Sequence, residues 1–133
     1  MLDVVEVDLD NGPGWVLADD LDPIDAGANW VALLPCLDST VMGWKERDWY
    51  LGDHTPALFD RNGNAGPTIW WNGQVVGGWA QREDGEIAIR LLADVPADTR
   101  VAIEDKAHHL REWLGPVRLV PRFRTPLERE LSS

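Results

Sequence analysis

The sequence predicts an α+β fold: a curled, barrel-like, mostly antiparallel sheet with one long helix and several short ones. Three observations predict it. Thr68 to Ala80 reads as two strands joined by Asn72-Gly73, the dipeptide best suited to a two-residue hairpin turn. Gly77-Gly78 inside the second strand suggests a bulge or sharp bend, which a curled sheet needs. Pro96 to Leu114 places Ile103, Ala107, Leu110 and Leu114 on one stripe, the mark of an amphipathic helix.

In chain order, Leu2 to Leu9 alternates, with Val5, Val7 and Leu9 against Val4, Glu6 and Asp8, as a half-buried strand does. Asn11-Gly12-Pro13-Gly14 is dense turn chemistry, and Trp15 to Leu17 reads as the returning strand. Asp19 to Gly27 is expected to be a loop or a single helical turn. Trp30 to Leu34 is continuously apolar and closed by Pro35, which suggests a strand buried on both faces. One or two short helices are expected between Asp38 and Asp60, with Asp38 or Ser39 as N-cap. Arg61 to Pro67 is a loop. Glu83-Asp84-Gly85 turns the chain into a third strand, Glu86 to Leu92, in which Ile87, Ile89 and Leu91 alternate with polar or small residues. Asp94 or Asp98 can cap the long helix, and Gly115-Pro116 ends it. Val117 to Val120 reads as a last strand and Thr125 to Leu131 as a terminal helix.

Composition narrows the function. The chain has 133 residues, 44% hydrophobic and 26% charged, which fits one globular domain spanning residues 1–133. No apolar run is long enough for a membrane span and no signal pattern opens the chain, so no membrane partner is expected. A lone cysteine, Cys36, fits a reducing, cytoplasmic setting and reads as an inert packed thiol. The formal net charge is −11. Residues 1–60 hold 13 acidic side chains against Lys45 and Arg47, whereas residues 61–133 hold 10 of each sign. An acidic chain is the wrong sign for binding DNA unaided. Arg118, Arg122, Arg124 and Arg129 make the last stretch locally basic.

Searches for chemistry in the residues find little. Glu104, His108 and Glu112 lie along one side of the helix, but no second ligand-bearing segment matches them, so no metal site is expected. Asp8 to Gly12 lacks the ligands and terminal Glu of a calcium loop. No nucleophile elbow surrounds a serine, and Gly63 to Gly66 lacks the Lys-Ser/Thr of a phosphate loop. Asp38, Glu46, Asp48 and His54 cluster in one segment but read equally as caps and surface charges. Arg47 reads equally as an ion-pair partner of Asp38 or Asp48. Eight tryptophans are the unusual feature; most are expected to fill the core. Neighbours Trp70 and Trp71 must point to opposite faces of their strand.

Leu33-Leu34-Pro35-Cys36-Leu37-Asp38, followed by Met42-Gly43 and Arg47, resembles the LLP-x-x-D … G … R signature of AlkZ/YcaQ-type DNA glycosylases, a winged-helix DNA-binding family. The hairpin from Gly66 to Trp79 resembles that family's P-x-x-x-x-D/N-G-x-x-V-G-x-W, and the helix ending in Trp113-Leu114-Gly115 fits it too. The resemblance runs from about Trp15 to Gly115. Family members place tandem winged helices first and a β-rich, barrel-like domain last. The resemblance thus implies the C-terminal domain alone, partnered by the winged-helix domains of a longer homologous chain and touching DNA only in that context.

The family's glycosylases carry a catalytic Gln-hydrophobic-Gln motif in their N-terminal region. This chain has only the separated Gln74 and Gln81, so the resemblance implies a non-catalytic accessory domain with no cofactor. Lys45, Arg47 and Arg61 are the candidates for the DNA backbone, and Trp71, Asn72 and Gly73 at the hairpin tip for a groove or partner. The alternative is a small-ligand or enzymatic domain in which Trp71 and Trp79 wall a pocket near Asp38, Arg47 and His54.

Overall fold

The structure, a computed structural model, describes residues 1–133. Its elements are β1 (Val4–Leu9), β2 (Gly12–Leu17), β3 (Val31–Leu34), α1 (Ser39–Met42), α2 (Asp48–Leu51), a 3-10 turn (Gly52–His54) and α3 (Thr55–Leu58). They continue with β4 (Thr68–Trp71), β5 (Gln74–Gln81), β6 (Ile87–Leu91), α4 (Ala97–Leu114) and α5 (Pro126–Ser132). Strands β3-β4-β5-β6 form one antiparallel sheet, and β1-β2 form a separate two-stranded one.

The four-stranded sheet is apolar on both faces, and this decides the architecture. Trp70, Val75 and Ala80 point to one side, where Val41, Tyr50 and Leu51 of the short helices and Leu127 and Leu131 of α5 cover them. Ile69, Val76 and Trp79 point to the other, where Ile103 and Leu110 of α4 pack. Neighbours Trp70 and Trp71 thus lie on opposite faces, as the strand period requires. A small closed barrel fills its enclosed face with its own side chains and leaves no room there for helices. Helices on both sides instead keep the sheet open, so the curled, barrel-like arrangement expected from the sequence is not formed.

The glycines that suggested curling have another use. A Cβ on Gly77 would run into the backbone of Arg90 in β6, and one on Gly78 into Leu127 of α5 and Leu58 of α3. They let neighbours approach closely. A one-residue bulge does sit beside them, since Ile69 pairs with Gly77 but Trp70 with Val75, leaving Val76 unpaired.

Several expectations are corrected. The first hairpin turns at Asp10-Asn11, with Leu9 opposite Gly12, so Gly12-Pro13-Gly14 belongs to the returning strand. Strand β3 is half-buried rather than buried on both faces, because it is the sheet edge. Neither Asp94 nor Asp98 caps α4; Pro96 holds the N-cap position, and Asp98 accepts instead from the Thr99 N–H at 2.8 Å. Val117 to Val120 forms no strand, because the Gln81 side chain takes both its Val117 carbonyl and its Leu119 N–H. Cys36 is exposed, and its thiol is raised above its ordinary pKa by partial burial and then by Glu128. Asp38 does cap α1, accepting from Thr40 N, and Thr125 with Glu128 forms a capping box on α5.

Candidate functional site

The most prominent concavity lies between the outer sheet edge and the α1–α2 segment. It is a cleft of about 680 Å³ walled by Trp30, Trp44, Trp49, Tyr50 and Trp70, with Ser39 and Thr40 supplying the only side-chain hydroxyls besides Tyr50. Ala32 and Leu34 reach it together because alternate residues of β3 share a face, and Trp30 joins them from just before the strand.

Its floor is locked. Tyr50 Oη donates to the Val41 carbonyl at 3.1 Å, and the Tyr50 ring stacks on Trp70 with centroids 5.3 Å apart. Trp70 Nε1 in turn donates to Thr68 Oγ1 at 2.9 Å. Burial pushes the Tyr50 phenol above its ordinary pKa, with nearby Arg47 opposing. The Trp49 indole meets Tyr50 edge-on at 4.8 Å, and its carbonyl accepts from Gln74 Nε2 at 3.0 Å. The rim is open: Trp30, Trp44 and Trp49 are 45%, 61% and 59% exposed.

The hairpin tip builds this cleft as much as it projects from the sheet. Asn72 and Gly73 have φ of 47° and 82°, the left-handed values that a two-residue hairpin turn demands and that Asn-Gly tolerates. Asn72 Oδ1 accepts from the Trp30 N–H at 2.9 Å, and its Nδ2 donates to Asn29 Oδ1 at 2.8 Å. Gly73 lies in the lining. Trp71 is half-buried on the opposite face, and its Nε1 has no hydrogen-bond partner in the chain.

The three cations singled out from the sequence are not equivalent. Lys45 and Arg61 are exposed, on the loop before α2 and on the turn after α3. Arg47 is half-buried, with its guanidinium 4.8 Å from the Phe59 ring centroid and Nη1 donating to the Val41 carbonyl at 3.5 Å. It pairs with neither Asp38 nor Asp48, contrary to that expectation; the ion pairs are Arg90–Glu130, His108–Glu112 and Arg111–Glu86. Beside Arg61, Asp60 accepts from the N–H groups of Asn64 and Asn62, which holds its carboxyl below its ordinary pKa.

The pocket expected near Asp38, Arg47 and His54 is not built. Trp79 is buried and donates to the Leu34 carbonyl at 3.0 Å, Trp71 faces α4, and none of the three polar residues lines the aromatic cleft. The expectation that most tryptophans fill the core fails as well. Trp70 and Trp79 are buried, but Trp15, Trp30, Trp44, Trp49 and Trp113 are exposed. Three of the cleft tryptophans, Trp30, Trp44 and Trp49, lie on short or irregular segments where periodicity assigns no face, so the sequence carries no signal that brings them together. No cluster of three or more His, Cys, Asp or Glu side chains could hold a metal ion. No helix is long and apolar enough to cross a membrane.

A model of a family described as DNA glycosylase AlkZ-like matches residues 1–113, most of the chain. The chain belongs to that family. Among solved structures it is similar to the Streptomyces sahachiroi DNA glycosylase AlkZ, with a TM-score of 0.66 and 23% identity. That likeness concerns the fold. It covers 87% of this chain but 32% of the other, so this AlkZ-like chain spans about a third of that glycosylase's length. None of the curated proteins compared with it matches.

Proposed function

We propose that this chain is a non-catalytic accessory domain of a DNA-glycosylase-like repair protein, working beside winged-helix domains of a longer homologous chain. The observation that carries the reading is the family match over residues 1–113 of a chain spanning 32% of a glycosylase of similar fold. Its two glutamines support it. Gln81 is buried and spends its amide on Val117 and Leu119, while Gln74 lies at the hairpin turn with its Nε2 donating to the Trp49 carbonyl, so the two do not act together.

In this reading the partner domains supply most of the DNA affinity, because a net charge of −11 repels the phosphate backbone. Exposed Lys45 and Arg61 touch the backbone, with Arg47 held behind them on Phe59. The tip at Asn72 and Gly73 faces a groove or a neighbouring domain, with Trp71 behind it turned towards α4.

Titrating a labelled DNA duplex with this chain at low salt, read by fluorescence anisotropy, tests the reading. No binding up to high micromolar concentration is expected. Salt-sensitive micromolar binding would make the chain a DNA reader in its own right and overturn the accessory role. In a longer homologue carrying the winged helices, replacing the residue that corresponds to Lys45 or Arg61 with Ala should reduce the salt slope by about one.

A further inference from the structure

We propose that Val117 to Val120 is an open strand position that receives β1 of a second copy of this chain, the two copies exchanging hairpins. The segment has the composition of a strand, yet no strand lies beside it. Gln81 Nε2 donates to the Val117 carbonyl at 3.0 Å, and the Leu119 N–H donates to Gln81 Oε1 at 2.8 Å. Those are the bonds a neighbouring strand makes to alternate residues along one edge. The main-chain N–H and C=O groups of Arg118 and Val120, which alternate with them, have no partner in the chain. One edge is held in place and the other is open to strand addition.

Hairpin β1–β2 has the complementary lack. It is joined to the four-stranded sheet through residues 19–30, every one of them exposed, and packs on no other element to a comparable extent. Paired residues share a face, so Val5, Val7 and Leu9 of β1 and Val16 of β2 make an apolar surface that no layer covers. A lone two-stranded hairpin is marginal in water. Its β2 edge contains Pro13, which has no N–H, so β1 is the edge that pairs. Val117, Leu119 and Val120 are exposed and bring apolar surface to the contact.

Charge selects the occupant. The hairpin carries Asp3, Glu6, Asp8 and Asp10, and no lysine or arginine occurs before Lys45. Between Glu112 and Glu128 there is no acidic residue, whereas Arg118, Arg122 and Arg124 all fall there. Arg118 is occupied by the carbonyls of Glu83, Asp84 and Gly115, but Arg122 is exposed and forms no ion pair. Asp60, which shares a cavity wall with Arg122, turns its carboxylate to Asn62 and Asn64. Two β1 strands paired with each other would set Glu6 and Asp8 against like charge. Reciprocal exchange instead joins each acidic strand to a basic segment and closes at two copies.

Sedimentation equilibrium of the whole chain at about 0.15 M salt tests this, because repulsion between the two net charges of −11 is then screened beyond roughly 8 Å. A weak dimer is expected, with Kd on the order of 100 micromolar, so the chain is a monomer at low micromolar concentration. Val120→Pro removes an open N–H without touching the bonds to Gln81. It should weaken the dimer at least about tenfold, whereas Val120→Thr should keep it. Asp8→Lys and Arg122→Glu should each weaken it several-fold. Mixing those two variants should restore association, since each strand then meets its opposite charge. Trp49→Ala alters the aromatic cleft and should change nothing. Circular dichroism of each variant reports whether it is folded. A monomer at every concentration, association unmoved by the Val120 and charge variants, no restoration on mixing, or loss through Trp49→Ala would each overturn the proposal.

Discussion

The two hairpins of this protein, β1–β2 and β4–β5, are written in similar terms and end up in opposite circumstances. Each joins short apolar strands through a two-residue turn, Asp10-Asn11 in the first and Asn72-Gly73 in the second. The second is the centre of the molecule, with helices packed on both faces. Strands β1 and β2 pack on each other and on no other element to a comparable extent, leaving Val4, Val5, Leu9, Trp15 and Leu17 exposed. Turn chemistry and alternation therefore make a hairpin, but they do not bury it. Burial follows from what neighbouring elements can reach. Glycines at 77 and 78 bring β6, α3 and α5 against β5, whereas Glu6 and Asp8 make one face of β1 polar and no layer covers the apolar face of Val5, Val7 and Leu9.

If that contrast is right, it shows most strongly in amide exchange. Protection of the hydrogen-bonded amides of β4 and β5 should approach the global unfolding free energy, roughly 5–15 kcal/mol for a domain, while those of β1 and β2 exchange through local opening near zero. Equal protection in the two hairpins would remove the distinction. Replacing Trp70 with Ala should cost about 3–5 kcal/mol in a urea titration, since it empties a ring site that stacks on Tyr50 in the core. Gly77→Ala should cost about 1–3 kcal/mol, because the added methyl meets backbone rather than a movable side chain.

Smaller effects sharpen the same comparison. Tyr50→Phe should cost about 1 kcal/mol at neutral pH for the lost bond to Val41. It should also change the alkaline limb. Because burial raises the folded phenol's pKa, the native state keeps its proton longer than the unfolded chain does. Tyr50's contribution is thus full below its ordinary pKa of 10.0 and is lost as pH rises from there through the raised value. The Phe variant should lack that part of the alkaline fall. Trp15→Ala, on the exposed hairpin, should shift stability by less than about 0.5 kcal/mol, a strict contrast with Trp70 in the same assay.

What local rules could settle was settled in the sequence. The Asn72-Gly73 turn, the stripe of Ile103, Ala107 and Leu114, the Asp38 cap and the opposed directions of Trp70 and Trp71 all depend on residues a few positions apart. The motifs around Leu33–Asp38 and Gly66–Trp79 were enough to point to the family. What required the tertiary structure were choices among distant partners. Whether the sheet closes depended on helices covering both faces. Whether Val117 to Val120 pairs as a strand depended on a side chain some three dozen residues away, Gln81. The aromatic cleft belongs to this second class: Trp30, Trp44, Trp49 and Trp70 come from separate elements and meet only when the hairpin tip anchors β3 through Asn72. Periodicity assigns a face only within one regular element, so surfaces assembled across several are decided by packing alone.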